Sequence, residues 1–305
     1  MVVVLSEAPP PGQGISANAQ ELAQHTEVAR LLGCRVITIP TDFAEAGSAA
    51  NALAYVAPYA PPVPGVWIGY IPALARYREV YTAALAKGIR LVNSPAQHHR
   101  AIEGDQALAA LGDLTPATVV VRTLAQCQDA VRQLGFPVFV KGAVKSRKED
   151  GWAACVAANL EELRALVAAA LAPGGRAGLT RGRVLVRRLV PLRRVPGTLG
   201  DFPISREYRV FLYRARALAH GFYWEDYDDA FPLTAEDERA LLDVARAAAR
   251  RLRVPLLIVD VGQLDTGAWT VIEAGDAQFA GLSRVPPLRL WNELLRAING
   301  GTARW

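Results

Sequence analysis

The stretch Leu256-Leu-Ile-Val-Asp260-Val-Gly-Gln-Leu-Asp265-Thr-Gly-Ala-Trp-Thr-Val-Ile-Glu273-Ala-Gly-Asp276 indicates the fold of this chain more directly than any other. Two apolar runs flank an Asp-Thr-Gly turn, which predicts a β-hairpin. Folding about Thr266 and Gly267 places Asp260 opposite Glu273, and two carboxylates this close repel each other unless a cation lies between them. With Asp276 just past the strand end, three acidic groups favour a hard cation such as Mg²⁺. The alternative is a pair of surface acids in a register shifted by one residue.

The composition indicates a soluble protein of two or three lobes. The chain has 305 residues, of which 51% are hydrophobic, but no apolar run approaches the roughly 20 residues of a membrane span. The first residues read as a β-strand rather than as a signal peptide. Three widely spaced cysteines argue against disulfides and against a zinc site, so we expect a cytoplasmic protein.

The net charge of +5 is moderate, and its basic residues cluster in Lys141–Lys148 and Arg181–Arg194. Such clusters serve nucleic acids, nucleotide phosphates or acidic substrates. Because few aromatic residues are interleaved with them, stacking on bases is poorly supported, and the sequence argues against a nucleic-acid partner.

Alternating strand and helix patterns in residues 1–114 predict an open α/β domain with a largely parallel sheet. The predicted strands are Val2–Leu5, Arg35–Ile39, Val66–Tyr70 and Arg90–Val92, and the predicted helices are Ala17–Leu32 and Leu74–Ala86. The proline-rich stretch Tyr59–Gly65 predicts a turn or stiff loop. A domain boundary is expected at Leu114-Thr115-Pro116.

Residues 115–190 predict a small α+β lobe, and residues 191–305 a larger one. The small lobe would contain strands Thr118–Arg122, Val138–Lys141 and Arg183–Leu189 and a helix over Leu160–Leu171, with Pro173–Gly182 as a mobile connection. The larger lobe would contain strand Glu207–Tyr213, helix Ala235–Leu252, the acidic hairpin and a terminal helix near Leu288–Ile298.

Cationic side chains accompany the strands of both lobes. Lys141 ends an apolar strand, where it either reaches solvent or points into a cleft, and Lys145–Lys148 is either a solvated turn or a loop over a polyphosphate. Strand alternation places Arg187 and Arg188 on opposite faces. Glu207 and Arg209 share a face, and an isolated pair of this kind is most often a surface ion pair worth about 0 to 1 kcal/mol.

The order of these pieces resembles the ATP-grasp superfamily, and within it the R-two-K clade, named for one arginine and two lysines. The resemblance covers Thr115 to Leu282. The motifs that carry it are Phe136–Lys141, Lys145–Lys148, Val184–Arg187, Arg206–Phe211 and Trp269–Gln278. The fold class that it implies is α/β and α+β, an ATP-grasp fold preceded by an open α/β domain.

The resemblance also implies a site for ATP and Mg²⁺. The nucleotide would be contacted by Lys141, Lys145, Lys148, Arg187 and Glu207; Mg²⁺ would be held by Asp260, Glu273 and Asp276; and Arg209 and Lys145 would be catalytic. Two departures stand out: Gly275 occupies the Asn place of the commoner Glu-x-Asn ending, and no lysine lies between Arg90 and Arg132. Lys145, or else Arg100, would substitute for that missing lysine.

The implied activity is that of an ATP- and Mg²⁺-dependent carboxylate-amine ligase that forms an amide through an acyl phosphate. The alternatives are a nucleotide-binding regulator without ligation and a small-molecule kinase. The partners would be a small-molecule or peptide carboxylate and an amine, whose identities the sequence does not encode, and a homodimer is one allowed oligomeric state. The aromatic run Phe222–Tyr227 predicts either a substrate pocket or a packed strand edge. None of the four histidines is predicted to be catalytic.

Overall fold

The computed structural model describes residues 1–9, 16–43, 46–144, 146–172 and 180–300. The helices are α1 (Ala17–Leu31), α2 (Ala49–Ala52), α3 (Leu74–Ala86), α4 (Pro95–Ile102), α5 (Gly104–Leu111), α6 (Cys127–Leu134), α7 (Leu160–Leu171), α8 (Ala235–Leu252) and α9 (Pro287–Asn299). The strands are β1 (Val3–Ser6), β2 (Arg35–Thr38), β3 (Val63–Ile68), β4 (Ile89–Leu91), β5 (Thr118–Val121), β6 (Val138–Gly142), β7 (Val156–Ala157), β8 (Val184–Arg188), β9 (Arg194–Leu199), β10 (Phe202–Ser205), β11 (Glu207–Tyr213), β12 (Arg216–Phe222), β13 (Leu256–Gln263) and β14 (Trp269–Asp276).

The first sheet is parallel, in the order β2-β1-β3-β4. The prediction of a loop over Tyr59–Gly65 was wrong in its second half, because β3 already begins at Val63. The Val63 N–H donates toward β4, to the Gly88 carbonyl at 2.9 Å, so the nitrogen of Pro64 points to the other side. Pro64 is tolerated there because β1, on that side, pairs with β3 only from Gly65 onward.

The small-lobe sheet is antiparallel, in the order β5-β8-β6-β7. One face is covered by α6 and α7, which bury alternate residues such as Val138, Val140 and Val186. The residues between them, such as Phe139, Lys141 and Arg187, point to the opposite face and line a cleft.

The large-lobe sheet is antiparallel, in the order β12-β11-β13-β14. Its two faces bury different partners, because the side chains of each strand alternate. Val210, Leu257 and Val259 pack with α8 and α5, whereas Phe211 and Ile258 pack with α1 and α9. The first domain therefore shares a core with the large lobe.

Helix α8 illustrates how the sequence sets an element. Thr234 caps its N-terminus by accepting a hydrogen bond from the Asp237 N–H, three acidic residues occupy the first turn, and two arginines occupy the last. Leu241, Ala245 and Leu252 lie on its buried face at helical spacing. The helix ends at Arg253, which has a left-handed φ of 53°.

The predicted fold class is confirmed, and the predicted bounds of α3, α7, α8 and β11 agree with the structure. Four strands, β7, β9, β10 and β12, were not predicted. The predicted connection Pro173–Gly182 lies largely outside the described residues. The boundaries at 114 and 190 stay predictions.

A buried histidine links the first helix to the last. His25 on α1 is buried and accepts a hydrogen bond from the Trp291 indole N–H at 3.1 Å. Burial lowers the pKa of His25 to about 4 from 6.5, so the folded protein holds it neutral.

We predict that stability falls in acid through His25. The unfolded chain takes up this proton near pH 6.5 and the folded chain only near pH 4, so the contribution is complete above pH 6.5 and is lost as the pH falls toward 4. The loss is about 3 kcal/mol. Urea unfolding from pH 7 to 4 should show a shallower decline for His25→Gln, which keeps an acceptor for Trp291. Equal declines in the two proteins would contradict this assignment.

Candidate active site

The acidic hairpin has the predicted register. Asp260 on β13 pairs with Glu273 on β14, and an irregularity follows between Asp260 and Val261. Arg209 on β11 pairs with Asp260 from the other side. Because paired residues share a face, Arg209, Asp260 and Glu273 lie on the same face of the large-lobe sheet, and Glu207, two residues before Arg209, joins them.

Arg209 and Asp260 form a bidentate ion pair. The Arg209 Nε and Nη2 atoms donate to the two Asp260 carboxylate oxygens at 2.9 and 2.8 Å, and Nη1 donates to the Gly281 carbonyl at 2.9 Å. Burial disfavours the Arg209 charge, but the attraction of Asp260 outweighs it and raises the pKa of Arg209. The prediction of a surface pair between Glu207 and Arg209 is thus replaced by a buried pair with another partner.

Lys141 crosses the cleft between the two lobes. It extends from small-lobe strand β6, is 7% exposed, and lies with its Nζ 3.1 Å from the Glu273 Oε2. Burial lowers the pKa of the Lys141 ammonium, and Glu273 offsets part of that effect. Burial would raise the pKa of the Glu273 carboxyl, but the attraction of Lys141 outweighs it and lowers that pKa. Of the two sequence interpretations for Lys141, the structure selects the side chain that points into the cleft.

Lys148 crosses the same cleft to a second carboxylate. Its Nζ lies 3.6 Å from the Glu207 Oε2 and over the rings of Phe202, Tyr223 and Trp224. Burial opposes its charge, but the attraction of Glu207 outweighs that cost and raises the pKa of Lys148. Tyr223 and Trp224 belong to the run Phe222–Tyr227, for which the sequence left open a substrate pocket or a packed strand edge, whereas Phe202 was not predicted to belong to the site.

Arg187 ties the small lobe to the hairpin. Its Nη1 donates to the Ile272 carbonyl at 2.6 Å, and its Nε donates to the Thr118 hydroxyl at 3.1 Å. Burial lowers the pKa of Arg187, and the nearby carboxylate of Glu273 partly counters this. Arg187 therefore lies on the cleft wall beside the Lys141–Glu273 pair.

A cleft of about 390 Å³ opens between these groups and the segment 189–192, which joins the lobes. Its walls are apolar at one end and charged at the other. The apolar end includes Pro116, Phe139, Leu189, Val190, Leu192 and Ile272, and the charged end includes Lys141, Lys148, Arg187, Glu207 and Glu273. An apolar slot with a few convergent charges suits a molecule with a flat ring and an anionic tail.

A hairpin of the large lobe closes one side of the cleft. The Asp201 carboxylate, between β9 and β10, accepts a hydrogen bond from the Trp152 N–H at 2.6 Å. Trp152 also packs on Phe202, with ring centroids 5.6 Å apart. Gly151, at a φ of 91°, leaves the space that Asp201 fills. This contact holds the loop that carries Lys148 against the large lobe.

The structure does not bring Asp276 to the other acids. Asp276 pairs with Leu257, so it faces the side of the sheet opposite to Glu273. There its carboxylate is buried, accepts from the Asn93 amide at 2.8 Å and lies 3.0 Å from the His98 Nδ1. The expectation of Asp276 as a third metal ligand is therefore corrected to a structural role.

The remaining predicted residue, Lys145, lies outside the described residues. Within the described part of the chain, no group of three or more His, Cys, Asp or Glu side chains is arranged to hold a metal ion. Asp260 and Glu273 share a face, and each is paired with a cationic side chain. They are the two acids of the hairpin that are placed together for a metal ion.

Residues 127–294, more than half of the chain, match the protein-family model of the ATP-grasp domain, R-two-K clade, family 3. The chain belongs to this family. A search of curated proteins finds no match. In the described ranges, no helix is both long and apolar enough to cross a membrane.

Solved ATP-grasp structures share the fold across the whole chain. D-alanine–D-alanine ligase from Bacillus anthracis in complex with ATP matches with a TM-score of 0.62 and 13% identity, covering 99% of each chain. D-alanyl-alanine synthetase A from Vibrio cholerae matches at 0.59 and 14%, covering 98% of this chain and 97% of that one. The ATP-grasp ligase PsnB with a minimal precursor, Mg and ADP matches at 0.58 and 15%, covering 98% of each.

We predict that Asp276→Asn destabilises the fold by about 1 to 3 kcal/mol, because Asn93 and His98 lose a charged acceptor in a buried network. Urea unfolding measures the loss. Asp243→Asn, at a side chain that is 72% exposed, is the matched control and should change stability by less than about 0.5 kcal/mol. Normal stability in Asp276→Asn, combined with a weaker Mg²⁺ dependence of nucleotide binding, would contradict the structural role and support Asp276 as a metal ligand.

Proposed function

We propose that this protein is an ATP- and Mg²⁺-dependent ligase that joins a carboxylate to an amine. The observation that carries the proposal is the pair of ionic contacts across the cleft, Lys141 to Glu273 and Lys148 to Glu207. Both put a small-lobe ammonium beside a large-lobe carboxylate at the charged end of an apolar slot. Such an arrangement supplies cations for phosphates and oxygen ligands for a metal at one place.

The residues that line the cleft fit both ATP and Mg²⁺. The cleft volume lies within the range of small-molecule sites, and its apolar end suits a base. Magnesium usually takes one or two protein carboxylates together with phosphate oxygens, so the lack of a three-acid cluster among the described residues is no obstacle. Glu273 and Asp260 would hold Mg²⁺, which when bound offsets the charge of the phosphates.

The lysines and Arg187 would bind the nucleotide. Lys141 and Lys148 would exchange their glutamate partners for phosphate oxygens, and Arg187 would flank the nucleotide on the small-lobe side. We also propose Lys145 as a phosphate ligand and catalytic residue, because it belongs to the same sequence motif. Glu207, which faces Lys148, would lie beside the phosphates.

Arg209 is the residue that we propose to hold the reacting group. Asp260 fixes its guanidinium by two hydrogen bonds, so the arginine is oriented before any ligand arrives. A substrate carboxylate oxygen would attack the γ-phosphorus, and ADP would leave, giving an acyl phosphate. An amine would then attack the carbonyl carbon and release phosphate, giving an amide. The protein supplies position and charge rather than covalent chemistry.

The similar structures support this reaction class. One is a D-alanine–D-alanine ligase with ATP, and another is a ligase with a peptide precursor, Mg and ADP. We therefore propose that the substrates are a small-molecule or peptide carboxylate and an amine. The basic surplus of +5 favours an acidic substrate.

We predict that Lys141→Ala lowers the rate of ADP formation by about 10²- to 10³-fold, because a preorganised charge is lost where negative charge develops. Glu273→Gln should have a comparable effect and should also raise the Mg²⁺ concentration needed for half-maximal rate. A coupled ADP assay measures both. Lys87→Ala is the matched control: Lys87 donates to the Ala54 carbonyl on the first domain, remote from the cleft, so its rate should be unchanged. Near-normal turnover in Lys141→Ala would contradict the site.

The reaction itself is tested by screening pairs of amino acids and peptides for ADP release and weighing the products. A ligase gives a product whose mass is the sum of its substrates less one water. Addition of a phosphate without condensation would instead identify a kinase. Calorimetric ATP binding with no substrate-dependent ADP release would identify a nucleotide-binding regulator.

A further inference from the structure

The Lys148 ammonium sits in a cage of three aromatic rings. Its Nζ lies 5.0 Å from the centroid of Trp224, 5.1 Å from Tyr223 and 5.8 Å from Phe202. Glu207 provides the negative charge at 3.6 Å. Aromatic faces within about 6 Å, together with a carboxylate, are the means by which proteins bind ammonium ligands. We call these four large-lobe residues, Phe202, Glu207, Tyr223 and Trp224, the ammonium cage.

The ammonium cage is built independently of Lys148. Trp224 is buried, and its indole N–H donates to the Ser205 carbonyl at 3.0 Å. Its ring packs on Phe202 and Tyr223, with centroids 6.4 and 5.1 Å away. Lys148 alone comes from the small lobe. The large lobe therefore presents a formed cation site, and the small lobe supplies the cation that fills it.

Lys148 can exchange its contact with Glu207 in the cage for a contact with phosphate oxygens. The distance of 3.6 Å to Glu207 exceeds that of a charge-assisted hydrogen bond, about 2.7 to 2.9 Å. A polyphosphate at the charged end of the cleft, which Lys148 also lines, offers more negative charge and shorter contacts than one carboxylate. Rotation of the Lys148 side chain toward that end would leave the cage open.

The cage also adjoins the residue that we propose to hold the acyl group. The Tyr223 ring contacts both the Lys148 ammonium and the Arg209 guanidinium, whose central carbon lies 5.0 Å from the ring centroid. A cation in the place of the Lys148 ammonium would thus share the Tyr223 ring with Arg209. An amine bound in the cage would therefore lie next to a substrate acyl group held by Arg209.

From this geometry we infer that the ammonium cage is the subsite for the amine substrate, which it receives in its ammonium form, and that Lys148 fills it until nucleotide phosphates draw Lys148 away. This inference rests on the proposed function. It names the acceptor class as an amine that is protonated when it binds. Before its nitrogen attacks the acyl phosphate, the ammonium gives up one proton, and the Glu207 carboxylate, 3.6 Å from the Lys148 ammonium, is the acceptor that the cage provides. It also sets an order, with the nucleotide binding before the amine.

The test uses tetramethylammonium as the probe, because it is a cation without acidic protons. Binding is followed on the full chain by saturation-transfer NMR of the methyl signal at constant ionic strength. We expect Lys148→Met to bind the probe without nucleotide at least tenfold more tightly than wild type. Lys148→Gln is measured alongside as a second variant. Wild type should gain comparable affinity when Mg²⁺ and a non-hydrolysable ATP analogue are present.

The control for the cage itself is Lys148→Met combined with Trp224→Leu, which should weaken probe binding about tenfold relative to Lys148→Met alone. Absence of probe binding to folded Lys148→Met and Lys148→Gln would overturn the inference, as would equal binding to wild type with and without the analogue. Calorimetry of the analogue on wild type separates the two levels: failure to bind nucleotide contradicts the proposed function, whereas the nucleotide-free variants test the cage alone.

Discussion

Three carboxylates on one face of a sheet, the buried Asp260 and Glu207 and the partly exposed Glu273, dictate the arrangement of this cleft. Asp260, Glu273 and Glu207 repel one another across neighbouring strands, so each requires a cation. Arg209 neutralises Asp260 from within the same sheet, whereas Lys141 and Lys148 reach Glu273 and Glu207 from the other lobe. Removing one partner of a buried pair typically costs about 3 to 5 kcal/mol. The position of the small lobe is therefore coupled to the charge of the hairpin.

A second set of contacts fixes the small lobe at its far end. The buried Glu103, at the corner between α4 and α5, pairs with Arg181 and Arg183 from the start of β8. Next to it, the Gly104 N–H donates to the Ala143 carbonyl at 2.8 Å, and a side chain at Gly104 would meet Leu185 and the Ala143 carbonyl at under 3.0 Å. These contacts involve no residue of the cleft. The small lobe can thus keep these contacts if the lysines at the cleft change partners as we propose.

Turn residues and strand alternation in the sequence were sufficient to predict the parts of the site that lie on one hairpin or one strand. The pairing of Asp260 with Glu273 follows from the turn and the strand period, and Lys141 follows from the end of an apolar run. Asp276 was placed wrongly because β14 was expected to end before it; the strand continues to Asp276, and the same alternation that groups Asp260 with Glu273 turns Asp276 away. The cage around Lys148 joins residues from β10, from β11 and from the segment after β12 with a small-lobe loop, and no period in the sequence encodes such a meeting. The hairpin β9–β10 was missed because Pro196, Gly197 and Pro203 obscure a strand pattern.

Arginine and lysine have different tasks in this chain. It contains 30 arginines and 4 lysines, and three of the lysines fall within Lys141–Lys148. Where a cation is held in one geometry, the residue is arginine: Arg209 grips both oxygens of Asp260, and the buried Arg206 donates to two aspartates, a glutamine and two carbonyls. A planar fork suits such fixed partners, but it exchanges them poorly. The two described cations that bridge the cleft to glutamates are lysines, whose compact charge on a flexible stem can pass from a carboxylate to a phosphate without a matching plane. Lysine at these positions therefore suits the ion-pair exchange on nucleotide binding that we propose.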